Sequence, residues 1–212
     1  MAAQPTQRPW PWTGLLVEQI RAEGVGVFLQ TTGRADAILA SMRRYIRARV
    51  PGGTYFFTVN LAERFGNRLL VEKIDVLREA FRVTQRNHPF RIEAAVVLPE
   101  HLHVLWTLPE GDVDFPMRWS LIKARFSRAV ETGEHRSNSR LRRRERGIWQ
   151  RRYYEHAIRD ADDLARHVDY IHWNPVKHGW VERVADWPYS SFHGFVKRGR
   201  LPVDWAVAES VP

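Results

Sequence analysis

Between Pro99 and Pro109 the chain reads Glu-His-Leu-His-Val-Leu-Trp-Thr-Leu, a short segment bounded by proline at both ends. Successive side chains of a β-strand point to opposite faces, so residues two apart share one. Leu102, Val104, Trp106 and Leu108 therefore form an apolar row, while His101 and His103 project together from the other side. The apolar row requires a packed layer against it, which makes this a strand of a sheet with at least one buried face. Packing explains the row but not the histidines. Two imidazoles aimed at one point are half of a metal site.

The flanking sequence supplies the rest of a sheet. Thr54 to Val59 is aromatic and β-branched and reads as a strand. Val71 to Arg86 carries Ile74, Leu77, Ala80, Phe81 and Thr84 at helical spacing. Ile92 to Leu98 is a second strand, joined by Pro99-Glu100 to the histidine strand as a hairpin. Met117 to Val130 is an amphipathic helix with Trp119, Ile122, Phe126 and Ala129 on its apolar side, and Tyr153 to Ile158 is a fourth strand. The order β-α-β-β-α-β predicts an α+β, ferredoxin-like (split βαβ) antiparallel sheet with helices on one face. An additional helix follows, from about Ala161 to Asn174.

Composition narrows the partners. Of 212 residues 44% are hydrophobic, enough for a core, and no apolar run approaches the roughly 20 residues of a membrane helix. The N-terminus lacks the apolar region of a secretory signal, and the absence of cysteine excludes disulfides and thiolate zinc sites. A cytoplasmic location is expected. The net charge of +9 favours a polyanion, with nucleic acid the commonest. Eight arginines crowd the stretch from Arg136 to Arg152, and a run this dense repels itself until it meets phosphates. Residues 1–41 read as a loosely ordered extension, with Met42 an alternative start. A domain over 42–205, a basic mobile insertion over 131–147 and a tail over 206–212 complete the expected organisation.

The additional helix carries chemistry of its own. Asp160 is a suitable N-cap, Leu164, Val168 and Ile171 repeat as a buried stripe, and Pro175 ends the helix at Asn174. His167, Tyr170 and Asn174 then share an adjoining face. Alone, Tyr170 reads as a half-buried boundary residue, and His167 and His172 as surface residues. Taken with the paired histidines and the basic charge, the set is what metal-assisted phosphodiester cleavage needs. A metal polarises the phosphate, and a tyrosine attacks phosphorus.

At this point the chain resembles the single-tyrosine HUH (His-hydrophobic-His) endonucleases, and within them the REP-associated tyrosine transposases. The resemblance rests on Gly52 to Asn60, Val96 to His103, Ile148 to His156, His167 to Gly179 and Asp186 to His193, within a region from Met42 to Trp205. It implies that His101 and His103 are the metal pair and that Tyr170, rather than Tyr153 or Tyr154, is the nucleophile. In related transposases a glutamine four residues after the tyrosine completes the metal site. Here Asn174 stands in that place, and its shorter side chain reaches less far.

The resemblance further implies Mg²⁺ or Mn²⁺ as the metal, although imidazoles alone suit other divalent ions as well. It implies single-stranded DNA with REP-type hairpins as the substrate, cut to leave a 5′-phosphotyrosine and a free 3′-OH. It allows a monomer or a homodimer. Phosphate contacts are expected from Arg43, Arg44, Arg142, Arg143, Arg144, Arg151, Arg152 and Lys177, with some tryptophans stacking on unpaired bases while Trp106 and Trp119 join the core. Two other readings stay open. One is a non-catalytic or domesticated regulator that only binds REP hairpins. The other is a metal-dependent hydrolase of small substrates.

Overall fold

A computed structural model describes residues 49–134, 137–143 and 145–206. The expected N-terminal extension, Arg43, Arg44 and Arg144 lie outside the described residues, as does most of the expected tail.

Four strands form the sheet: β1 (Thr54–Asn60), β2 (Arg91–Val97), β3 (His101–Thr107) and β4 (Tyr154–Ala157). Their order is β2-β3-β1-β4, and every neighbouring pair is antiparallel. β1 and β2 thus run in one direction with β3 between them, as a split βαβ unit requires. The β2–β3 hairpin closes tightly at Pro99-Glu100, where the Leu98 amide donates to the His101 carbonyl at 2.8 Å. Antiparallel register sets Thr58 opposite His103 and Asn60 opposite His101.

The helices are α1 (Leu69–Glu72), α2 (Ile74–Asn87), α3 (Phe115–Ala129), α4 (Asn138–Arg142), α5 (Ala161–Lys177) and α6 (Phe192–Lys197). All five apolar-face residues expected in α2 are buried. The expected helix from Val71 is interrupted at Lys73, which caps α1 and begins α2. Asp114 caps α3 by accepting from the Met117 amide, with Pro116 in the first turn, so this helix starts two residues before Met117.

α2 and α3 cover one face of the sheet. There Trp119 of α3 stacks on Trp106 at 4.7 Å and meets Phe57 and Phe81 at 5.4 and 5.7 Å. α5 covers the opposite face, where Phe56 lies 4.8 Å from His167 and 5.9 Å from Tyr170. The result is three layers, with two helices on one face as expected and the tyrosine helix on the other.

Pro175 does not end α5, which runs to Lys177 with the proline inside. So near the C-terminus only one amide is lost, and the ladder resumes when the His178 amide donates to the Asn174 carbonyl at 3.1 Å. Residues 187–191 then return along the outer edge of β2. The Val97 amide donates to the Tyr189 carbonyl, the Ser191 amide to the Ala95 carbonyl, and the Trp187 indole to the Val97 carbonyl. This covers an otherwise open sheet edge. Among the described residues, no helix is long and apolar enough to cross a membrane.

Candidate metal and nucleophile site

His101 and His103 are each only 3% exposed, and their ring centres are 4.9 Å apart. Both rings are held through Nδ1. His101 meets the Glu100 carboxylate at 2.9 Å, and His103 meets the Thr58 hydroxyl at 2.9 Å. A carboxylate only accepts, so His101 Nδ1 donates to Glu100, and Nε2 is the ring nitrogen turned away from that bond. This is the outer hydrogen bonding that orients metal-ligating histidines. His103 Nε2 is buried without a hydrogen-bond partner.

Burial, then the neighbouring charges of His101, His178 and Lys177, push the His103 pKa well below its ordinary value. The ring is therefore neutral at physiological pH, the form that binds metal. Burial would raise the Glu100 pKa, but hydrogen bonding and attraction from His101 outweigh it and hold the carboxyl at about 2. Glu100 also pairs with Arg64 at 3.3 Å.

α5 brings two further groups to this face. The Asn174 side chain is fully buried, and neither of its amide atoms makes a hydrogen bond of acceptable geometry. It lies near enough to His103 to favour that ring's charged form. Leaving a buried carboxamide unpaired costs about 1–3 kcal/mol, so a ligand for it is expected. One turn earlier, the Tyr170 ring centre lies 5.2 Å from that of His103, with 37% of the residue exposed. The Lys177 ammonium stands 4.9 Å from the Tyr170 ring centre. Two imidazoles, an oxygen donor and a partly exposed phenol thus share one face, and the donors fit a divalent ion.

The neighbouring tyrosines differ. Tyr153 packs against Phe57 and Trp119 on the opposite face of the sheet. Tyr154 shares the histidine face, but burial and then the Asp163 charge raise its pKa, which disfavours the phenolate.

Sequence reasoning missed four parts of this region. Glu100 and Thr58 orient the histidines, but only β-register reveals Thr58. His178 packs 5.3 Å from His101 just past the end of α5. His172 is wholly buried rather than at the surface: its Nε2 meets Ser191 Oγ at 3.0 Å, and burial lowers its pKa to about 3. The fourth part is a clamp around Asp163.

The Asp163 carboxylate accepts from His156 of β4 at 2.8 Å and from the Arg159 amide and guanidinium at 3.1 and 3.2 Å. His167 donates to the Asp163 carbonyl at 2.7 Å. His156, Asp163 and His167 are metal-type donors in proximity. Two ligands of one tetrahedral metal stand about 3.3 Å apart at bond lengths near 2.0 Å, wider than the 2.8 Å hydrogen bond here. Arg159 and Arg166 also bring positive charge to the carboxylate. The trio acts as a clamp fastening the start of α5 to β4.

Burial would raise the Asp163 pKa, but His156 and Arg159 outweigh it and hold the carboxyl far below its usual range. A depressed carboxyl stabilises the fold above its unfolded pKa of about 4, and that contribution is lost as pH falls below it. Asp163→Ala is expected to cost about 2 kcal/mol at pH 7 in chemical denaturation. The difference from wild type should shrink below about pH 4. A pH-independent difference would mean that packing, not charge, is what Asp163 contributes.

Of the arginines expected to meet phosphate, Arg142, Arg143, Arg151 and Arg152 are exposed, as is Lys177. Of these, Lys177 lies beside Tyr170. Within the expected mobile insertion, α4 is helical, and Arg146 is held by Glu134 and the Ser127, Val130 and Glu131 carbonyls. Arg151 pairs with Glu145 at 2.8 Å. The charge of this stretch is thus partly balanced internally.

No family model matches the chain. The REP-associated tyrosine transposase of Escherichia coli (strain K12) is 50% identical over 165 residues, which cover 78% of this chain and 92% of the relative. A relative from Haemophilus influenzae is 46% identical over 165 residues, 77% of this chain and 93% of its own length. A solved structure of a REP-associated tyrosine transposase bound to a REP hairpin superposes with a TM-score of 0.67 at 48% identity, covering 78% of this chain and 92% of the other.

Proposed function

The chain belongs to the REP-associated tyrosine transposases, and from that premise we propose that it nicks and rejoins single-stranded DNA beside REP-type hairpins, with Tyr170 as nucleophile. The observation that carries this reading is the juxtaposition of Tyr170 with His103 and the unpartnered Asn174 on one buried face.

His101, His103 and Asn174 would hold a divalent ion, Mg²⁺ or Mn²⁺ in this reading. When bound, such an ion supplies a Lewis acid for the scissile phosphate. The remaining work falls to the chain itself. Glu100 keeps the His101 proton on Nδ1, and Thr58 holds the orientation of the His103 ring. Lys177 lies close to the Tyr170 ring, where its ammonium meets the negative charge of the phosphate under attack, and the phenol gives up its proton to water. Tyr170 Oη forms the new bond to phosphorus, the P–O3′ bond breaks, and the departing 3′ oxygen takes up a proton. The product is a 5′-phosphotyrosine beside a free 3′-OH. Attack by a 3′-OH on that linkage reverses the step and rejoins DNA.

The test is an SDS-resistant adduct between the protein and a 3′-labelled single-stranded hairpin with Mg²⁺ or Mn²⁺. Tyr170→Phe is expected to abolish the adduct while hairpin affinity stays nearly unchanged. Hairpin binding without an adduct in wild type, under either metal, would favour the regulator instead.

A further inference from the structure

The solvent side of a surface helix is ordinarily polar. α5 departs from this. Arg166, Tyr170, Trp173 and Lys177 follow one another at spacings of four, three and four residues, forming a single stripe, and all four are exposed. Trp173 is 38% exposed despite its size. The stripe continues past the helix end. Gly179 adopts a φ of +67°, and the Trp180 amide donates to the Pro175 carbonyl at 2.9 Å, so the chain reverses in a Schellman turn and presents Trp180. Trp180 is 40% exposed, with the Arg68 guanidinium 5.8 Å from its ring centre.

We propose that this stripe is a track for unpaired nucleic acid: bases stack on Trp173 and Trp180, and Arg166, Lys177 and Arg68 meet the phosphates. Aromatic faces alternating with cations are what a single strand requires, because every base has a stackable face and every linkage a negative charge. Asp169 flanks the stripe and Asp163 pairs with Arg166 at 3.5 Å, while Lys177 and Arg68 stand exposed at its C-terminal end, so the positive charge is concentrated beside the two tryptophans. The track passes Tyr170, and its C-terminal end adjoins His178, which packs on His101. A strand lying along it is therefore led past the nucleophile. The proposal rests on the nucleic-acid reading above, but not on cleavage.

The probe is an oligothymidylate of about twelve nucleotides with one central 2-aminopurine, compared with a blunt duplex of equal length. Wild type is expected to quench the 2-aminopurine fluorescence and to prefer the single strand. Trp173→Ala and Trp180→Ala should each weaken binding about tenfold and relieve quenching, while Trp173→Phe and Trp180→Phe keep most of both. Trp180 also packs 6.2 Å from Trp187, so Arg68→Ala serves as a second variant at that end, with weaker and more salt-sensitive binding expected. Alanine variants that bind and quench like wild type, or a wild type that prefers the duplex, would overturn the track. Quenching that survives where the hairpin adduct never forms would overturn the nuclease reading and leave the track standing.

Discussion

His103→Ala lowers hairpin cleavage by at least about a hundredfold, measured as initial rate at fixed Mn²⁺, and leaves hairpin binding largely intact. Altering the groups that merely orient a metal ligand typically costs 10–100-fold, so removing a ligand sets that range as a floor. The physical cause is local. His103 Nε2 is a buried nitrogen without a hydrogen-bond partner, near an equally unpartnered Asn174 carboxamide. The alanine leaves the strand's apolar row on the opposite face untouched and opens space beside Phe56 and Tyr170, whose ring centres lie 5.5 and 5.2 Å from that of His103. Cleavage within a few-fold of wild type would mean that the imidazole pair does not hold the ion.

The largest expected loss of stability lies on that opposite face. Trp106 is completely buried, stacks on Trp119 and lies 4.6 Å from Phe57 and 4.4 Å from Phe90. Trp106→Ala is expected to cost about 4 kcal/mol. For a domain of this size that lowers the melting temperature by roughly 12 °C. Trp106→Phe should be far milder, because the ring contacts largely survive and the buried indole N–H, which has no partner, is removed. Equal losses for the two variants would show that the stack is not where the stability lies.

Features with a local period were legible in the sequence. Strand alternation put His101 and His103 on one side and Trp106 on the other, and helical spacing named the buried residues of α2 from Ile74 to Thr84. Features that depend on register or on distant returns were not. Thr58 reaches His103 only because β1 pairs with β3 at that register. His172 looks like a surface residue until the segment 187–191 closes over β2 and brings Ser191 to it. The Asp163 clamp needs His156 from the neighbouring strand, which no local spacing announces. Pro175 was misleading, because a proline stops a helix only where several later hydrogen bonds are at stake.

Tyr170 is the residue expected to become joined to DNA. Mass-spectrometric mapping of the protease-digested adduct tests it most directly. A 5′-phosphonucleotide is expected on the peptide containing Tyr170 and on no other. A modification on Tyr153 or Tyr154 instead, or Tyr170 peptides recovered only in unmodified form from a confirmed adduct, would contradict it.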